Sequence, residues 1–187
     1  MAEVNLSVEI EAPLWRVAAF FVPQRMPYWY GAEMGSCFEV SGGQADFAVG
    51  RKVRISGRVL GRGVALTVVI TRCEPGRLLE WRFRDEYGIR GAQRWELASA
   101  MRGASLPERR AGNALGGRGQ ASSPAEASGE RTLVSLHDEF ELPQKGRLAR
   151  LAERYWMRPN VARRDRQHLQ LLKRLAERAG GRFGEPL

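Results

Sequence analysis

Residues 147–178 read RLARLAERYWMRPNVARRDRQHLQLLKRLAER, and what this stretch packs against decides the fold. Its apolar positions Leu148, Leu151, Tyr155, Ala162, Leu169, Leu172 and Ala176, continued by Ala179, recur at helical spacing and form one stripe. Arginines fill most of the other positions. Pro159 removes a backbone hydrogen bond and bends a helix, so a helix of about 50 Å could follow a curved surface. Three uses are open to such an element: a nucleic-acid-binding arm, a membrane-surface helix, or the cover of a sheet built upstream. The stripe favours the cover, with the arginines on its outer face.

The upstream sequence supplies a sheet that needs covering. In EVNLSVEIEAP, Val4, Leu6, Val8 and Ile10 alternate with Glu3, Asn5, Ser7 and Glu9, the pattern of a half-buried strand. Pro13 then opens a short apolar helical patch, and VPQRMPYWYGA reads as a second short helix or turn. Five alternating strands follow, centred on Phe38, Val53, Val68, Trp81 and Trp95, and RTLVSLHDEFELP resumes the alternation as a last one. Turns at Gly42–Gly43, Gly61–Gly63 and Pro75–Gly76 make neighbouring strands antiparallel. One-sided alternation means one wet face and one buried face. Residues 102–130, rich in Gly, Ala, Ser and Pro, read as a flexible loop, and residues 183–187 as a disordered tail; a single domain over 1–182 is expected.

Composition narrows the function. The chain has 187 residues and a formal net charge of +9. Residues 144–182 hold 12 Lys or Arg against three acids, so the excess lies in the C-terminal segment. With 27 Arg to 3 Lys, the bias is one that a GC-rich genome produces as readily as selection for phosphate contacts. No apolar run is long enough to span a membrane, and no secretion signal is present, so a cytoplasmic location is expected. Cys37 and Cys73 form neither a disulfide framework nor a metal motif. His137 and His168 are isolated, and no metal site and no cofactor are expected.

The segments VEIEAPLWRVAAFF, PYWYGA, RTLVSLHDEFELP and LQLLKRLAE together resemble the START/SRPBCC superfamily, whose birch-pollen-allergen-like members share the helix-grip fold. The similarity is greatest to its polyketide cyclase/dehydrase and lipid-transport group. It implies an α+β fold: a curved seven-stranded antiparallel sheet around a long C-terminal helix, with two short helices after the first strand. It also implies a cavity between sheet and helix that takes a lipid-like or aromatic ligand. Trp81, Phe83, Trp95, Phe140 and Tyr155 would line that cavity, with Tyr28, Trp29 and Tyr30 near its entrance; the same rings could equally be filled core.

Two polar residues interrupt apolar faces, Gln93 and Asp138. If Ala98 faces Leu133 across the loop, Gln93 faces Asp138 at about 5 Å between Cβ atoms. Such a pair could orient a ligand oxygen, or Asp138 could act as acid or base; it could also simply satisfy itself. The expected function is binding or transport of a hydrophobic small molecule. The alternatives are a metal-free cyclase or dehydratase using Asp138, and a protein that contacts anionic membrane surfaces through its basic helix. Nucleic acid is not expected as a partner, since no recognition motif accompanies the charge.

Overall fold

The computed structural model describes residues 2–43, 46–59, 61–100, 130–143, 146 and 151–178. The expected loop, apart from Glu130, the expected tail, Leu148 and Ala179 lie outside the described residues. Strands β1 (Ala2–Ile10), β2 (Cys37–Val40), β3 (Lys52–Val59), β4 (Arg62–Glu74), β5 (Leu78–Asp85), β6 (Arg90–Ala100) and β7 (Arg131–Glu141) form one sheet. Its order is β1-β7-β6-β5-β4-β3-β2, with every neighbouring pair antiparallel. Helix α1 (Leu14–Ala18) and two 3-10 turns, Met26–Tyr28 and Ala32–Met34, connect β1 to β2. A π turn, Glu153–Met157, leads directly into the long helix α2, Arg158–Arg178.

The alternation seen in the sequence becomes the two faces of this sheet. Along β7, Thr132, Val134, Leu136, Asp138 and Phe140 are buried, and the residues between them reach the surface. The buried face joins Ile10, Val53, Val68, Ile70, Trp81, Trp95 and Leu97 into one core with Leu169, Leu172 and Ala176 of α2. Helix α2 is therefore the cover; Arg158, Arg163, Arg166, Arg174 and Arg178 are exposed along its outside, as is Arg154 on the preceding π turn. In β4 a bulge at Thr71 resets the alternation, so that Ile70 and Cys73 share a face. Cys73 consequently packs against the core, where uninterrupted alternation would place it on the polar side.

The start of the long helical segment departs from the sequence reading. Leu151 and Tyr155 are exposed, while Glu153 and Met157 turn inward. The π turn rotates the helix face just before Pro159, which lacks the N–H an α-helix would direct to Tyr155. Glu153 is held there by accepting the Leu142 backbone N–H at 3.0 Å, which ties the helix start to the end of β7.

At the other end, Thr132 fixes the bend between β1 and α1. It is fully buried, and its hydroxyl donates to the Ala12 carbonyl at 2.8 Å. Thr132→Val keeps the shape, removes the donor and leaves that carbonyl unpaired. The expected loss is about 1.5 kcal/mol of unfolding free energy, read from urea denaturation.

Candidate functional site

Between the sheet and α2 lies a cavity of about 270 Å³. Ile55, Leu66, Phe83, Phe140, Met157 and Val161 give it apolar walls, and Asp85 at the end of β5, with Glu86 and Tyr87 of the β5–β6 connection, also borders it. Phe83 and Phe140 flank Gly91 on the two neighbouring strands. A Cβ on Gly91 would meet the Glu139 carbonyl oxygen at 1.9 Å and the Phe83 ring at 2.6 Å, so only glycine lets the ring lie across this strand.

The far end of the cavity is polar. The register sets Ala98 opposite Leu133 and therefore Gln93 opposite Asp138. The Tyr30 hydroxyl donates to Gln93 Oε1 at 2.8 Å, and Gln93 Nε2 donates to Asp138 Oδ2 at 3.0 Å. All three border the cavity, as do Arg164 and His168 of α2. Oδ1 of Asp138 is buried with no hydrogen-bond partner among the described residues.

Burial sets the protonation states here. It pushes the Asp138 carboxyl up to about 8, with the neighbouring Asp165 charge acting in the same direction. Asp165 is raised to about 6, mainly by burial and against the pull of Arg164. Both burial and the neighbouring charge favour the protonated form of the cavity-facing carboxyl. Burial also raises the Tyr30 phenol and lowers His168, which keeps both uncharged.

The structure distributes the residues singled out in the sequence among three places. Phe83, Gln93, Asp138 and Phe140 border the cavity. Trp29, Trp81 and Trp95 are fully buried core instead: Trp29 and Trp95 meet edge-on at 5.3 Å, and Tyr30 meets Trp81 at 5.7 Å. Tyr28 and Tyr155 are 67% and 68% exposed and do not line the cavity. Tyr28 projects from a 3-10 turn whose buried member is Met26, and Tyr155 lies on the outside of the π turn.

Arg164, Asp165, His168 and Glu33 stand at the polar end of the site without a motif that marks them in the sequence. A signal for two of them was present. Val161, Asp165, His168, Leu169 and Leu172 follow one helical face, so the buried side of α2 carries two ionisable groups. Tracing only apolar positions skips them.

No protein-family model matches the chain, and no curated protein matches it by sequence. Solved structures do match. The Zhui aromatase/cyclase from Streptomyces sp. R1128 superposes with a TM-score of 0.61 at 16% identity, covering 99% of both chains. Ara h 8.0201 gives 0.56 at 10% identity over 94% of this chain and 97% of its own. DynU16, a protein of the dynemicin biosynthetic locus, gives 0.56 at 17% identity; the match covers 94% of this chain and spans 47% of DynU16. With the seven-stranded antiparallel sheet and the long C-terminal helix over its buried face, this chain has the helix-grip fold that these solved structures share.

Proposed function

We propose that this chain binds a small, largely apolar molecule bearing a hydroxyl or carbonyl oxygen. Its apolar part would pack against Phe83, Phe140 and Val161, and its oxygen would face Gln93 and Asp138. The observation that carries this reading is the shape of the site: apolar walls closing on a buried polar chain whose last oxygen, Asp138 Oδ1, has no hydrogen-bond partner among the described residues. A cavity of about 270 Å³ suits a ligand of one or two fused rings.

One observation favours catalysis as a second reading. A carboxylic acid kept neutral at pH 7 beside an apolar cavity can protonate a hydroxyl that leaves as water, or a carbonyl that is enolising. The cyclase named among the structural neighbours is compatible with such chemistry. Asp138→Asn separates the two readings, since a carrier keeps its affinity and an enzyme loses turnover.

The binding test uses 2-naphthol and naphthalene, followed by titration calorimetry. Wild-type protein should bind 2-naphthol about fivefold more tightly than naphthalene, the worth of one hydrogen bond. Asp138→Leu, which removes the unpartnered oxygen, should erase that preference, and Val161→Trp, which fills the cavity, should weaken both by at least about tenfold. Equal binding to wild type and Val161→Trp would place the ligand elsewhere and defeat the reading.

A further inference from the structure

The two ends of the cavity differ in charge. Gln93 and Asp138 share one inward-facing row of the sheet, Phe83, Gly91 and Phe140 the next, and Asp85 with Ile89 a third. Four residues of strand separate the first row from the third, about 13 Å. At the first row Arg164 is the one cation among the described residues that borders the cavity. At the third, the border holds Asp85 and Glu86, beside Tyr87, which is 65% exposed and marks this end as the mouth. The Asp85 carboxylate is fixed there: its Oδ1 accepts the backbone N–H groups of Tyr87 at 2.9 Å and Ile89 at 2.8 Å. The turn uses only that oxygen. Oδ2 of Asp85 and the Glu86 carboxylate have no hydrogen bond or ion pair among the described residues. An acidic mouth runs against composition in a chain with 27 Arg. Arg82 and Arg84 alternate with Phe83 and Asp85 along β5, so they stand exposed on the opposite face of the sheet. At the inner end, Asp138 is 1% exposed and its Oδ1 points to a second ligand contact, since it has no partner among the described residues.

We propose that the ligand carries an ammonium group, held at the mouth by Asp85 and Glu86, in addition to the oxygen that faces Gln93 and Asp138. The inference rests on the binding reading above and names its ligand class: an apolar amine of one or two rings, with its hydroxyl or carbonyl oxygen at the end remote from the nitrogen. The spacing sets the length. A hydrogen bond of about 2.9 Å at each end of the 13 Å or so between the rows leaves about 7 Å from oxygen to nitrogen. Two fused rings substituted at their far ends span that distance. Charge sets the direction. At the polar end an ammonium would meet the Arg164 guanidinium; at the mouth it meets two carboxylates and the Tyr87 ring, whose face attracts a cation. A ligand carboxylate at the mouth would meet two like charges and be repelled.

The test compares 6-(aminomethyl)-2-naphthol with 6-methyl-2-naphthol by titration calorimetry on the full chain at neutral pH. The two share rings and hydroxyl and differ in the ammonium. Wild type should bind the amine about fivefold more tightly, and the preference should shrink as salt is raised. The double variant Asp85→Asn with Glu86→Gln removes both charges and keeps a side-chain oxygen for the two backbone N–H groups of the turn. It should bring the amine down to the affinity of 6-methyl-2-naphthol. Asp138→Leu should weaken both compounds alike, since both carry the hydroxyl. A loss confined to the amine in Asp138→Leu would put the ammonium at the inner end and overturn the proposal. So would equal binding of the two compounds to wild type, or a preference that the double variant retains. Each of these results leaves the oxygen-binding reading intact provided that 2-naphthol still distinguishes wild type from Val161→Trp; if it does not, both fall together.

Discussion

Trp29→Ala should lower the free energy of unfolding by about 4 kcal/mol, read from urea denaturation. The side chain is completely buried, and its ring meets Phe21 at 5.0 Å, Trp95 at 5.3 Å and Tyr30 at 5.9 Å. Its indole N–H donates to the Phe20 carbonyl at 3.0 Å, so truncation opens a cavity and also leaves a buried carbonyl unpaired. The effect should extend beyond stability. Trp29 sits beside Tyr30, whose hydroxyl holds Gln93 in place, so loosening one frees the other. Trp15→Ala is the control: the ring is 66% exposed, and its removal should cost less than about 0.5 kcal/mol. Similar losses for the two variants would show that the segment between α1 and β2 is not integral to the core.

These two tryptophans also mark what was legible in the sequence. Strict alternation in β1, β3, β5, β6 and β7 declared both faces of the sheet, because a strand's period of two leaves no freedom once one face is buried. Alternation puts Gln93 and Asp138 on the buried face, while their pairing follows only if Ala98 faces Leu133, the register that the structure has. Two kinds of residue were harder to place. Trp29, Tyr28 and Tyr30 are adjacent in a segment of 3-10 turns, where no regular period says which ring points inward. Tyr155 follows the α-helical period, but the π turn adds a residue to that turn and carries it to the outside. Asp165 and His168 were missed for another reason. Helical spacing places them on the buried face, but an apolar stripe defined by residue type passes over ionisable groups that a cavity has drawn inside.

Burial of those groups gives the protein a pH-dependent stability that one substitution should remove. An acid whose pKa is raised by folding contributes stability that is fully present below its unfolded value, and loses it as pH rises through the folded value. For Asp138 that window runs from about 4 up to about 8, and for Asp165 from about 4 to about 6. Both act in the same direction, so the wild-type protein should lose stability from about pH 4 to about pH 8, less steeply above pH 6. His168, lowered by burial, acts oppositely, but its contribution is complete once the pH exceeds the ordinary histidine value. Asn at position 138 mimics the protonated acid: its oxygen accepts from Gln93 Nε2, and its amide can donate to an ionised Asp165. Asp138→Asn should therefore match wild type within about 0.5 kcal/mol below pH 4 and exceed it by about 3 kcal/mol at pH 9, where the wild type must keep two neighbouring carboxylates out of water. Urea unfolding below pH 4, at pH 6 and at pH 9 measures the divergence. Parallel curves would mean that Asp138 is ionised at neutral pH, and the neutral acid that the catalytic reading requires would not exist.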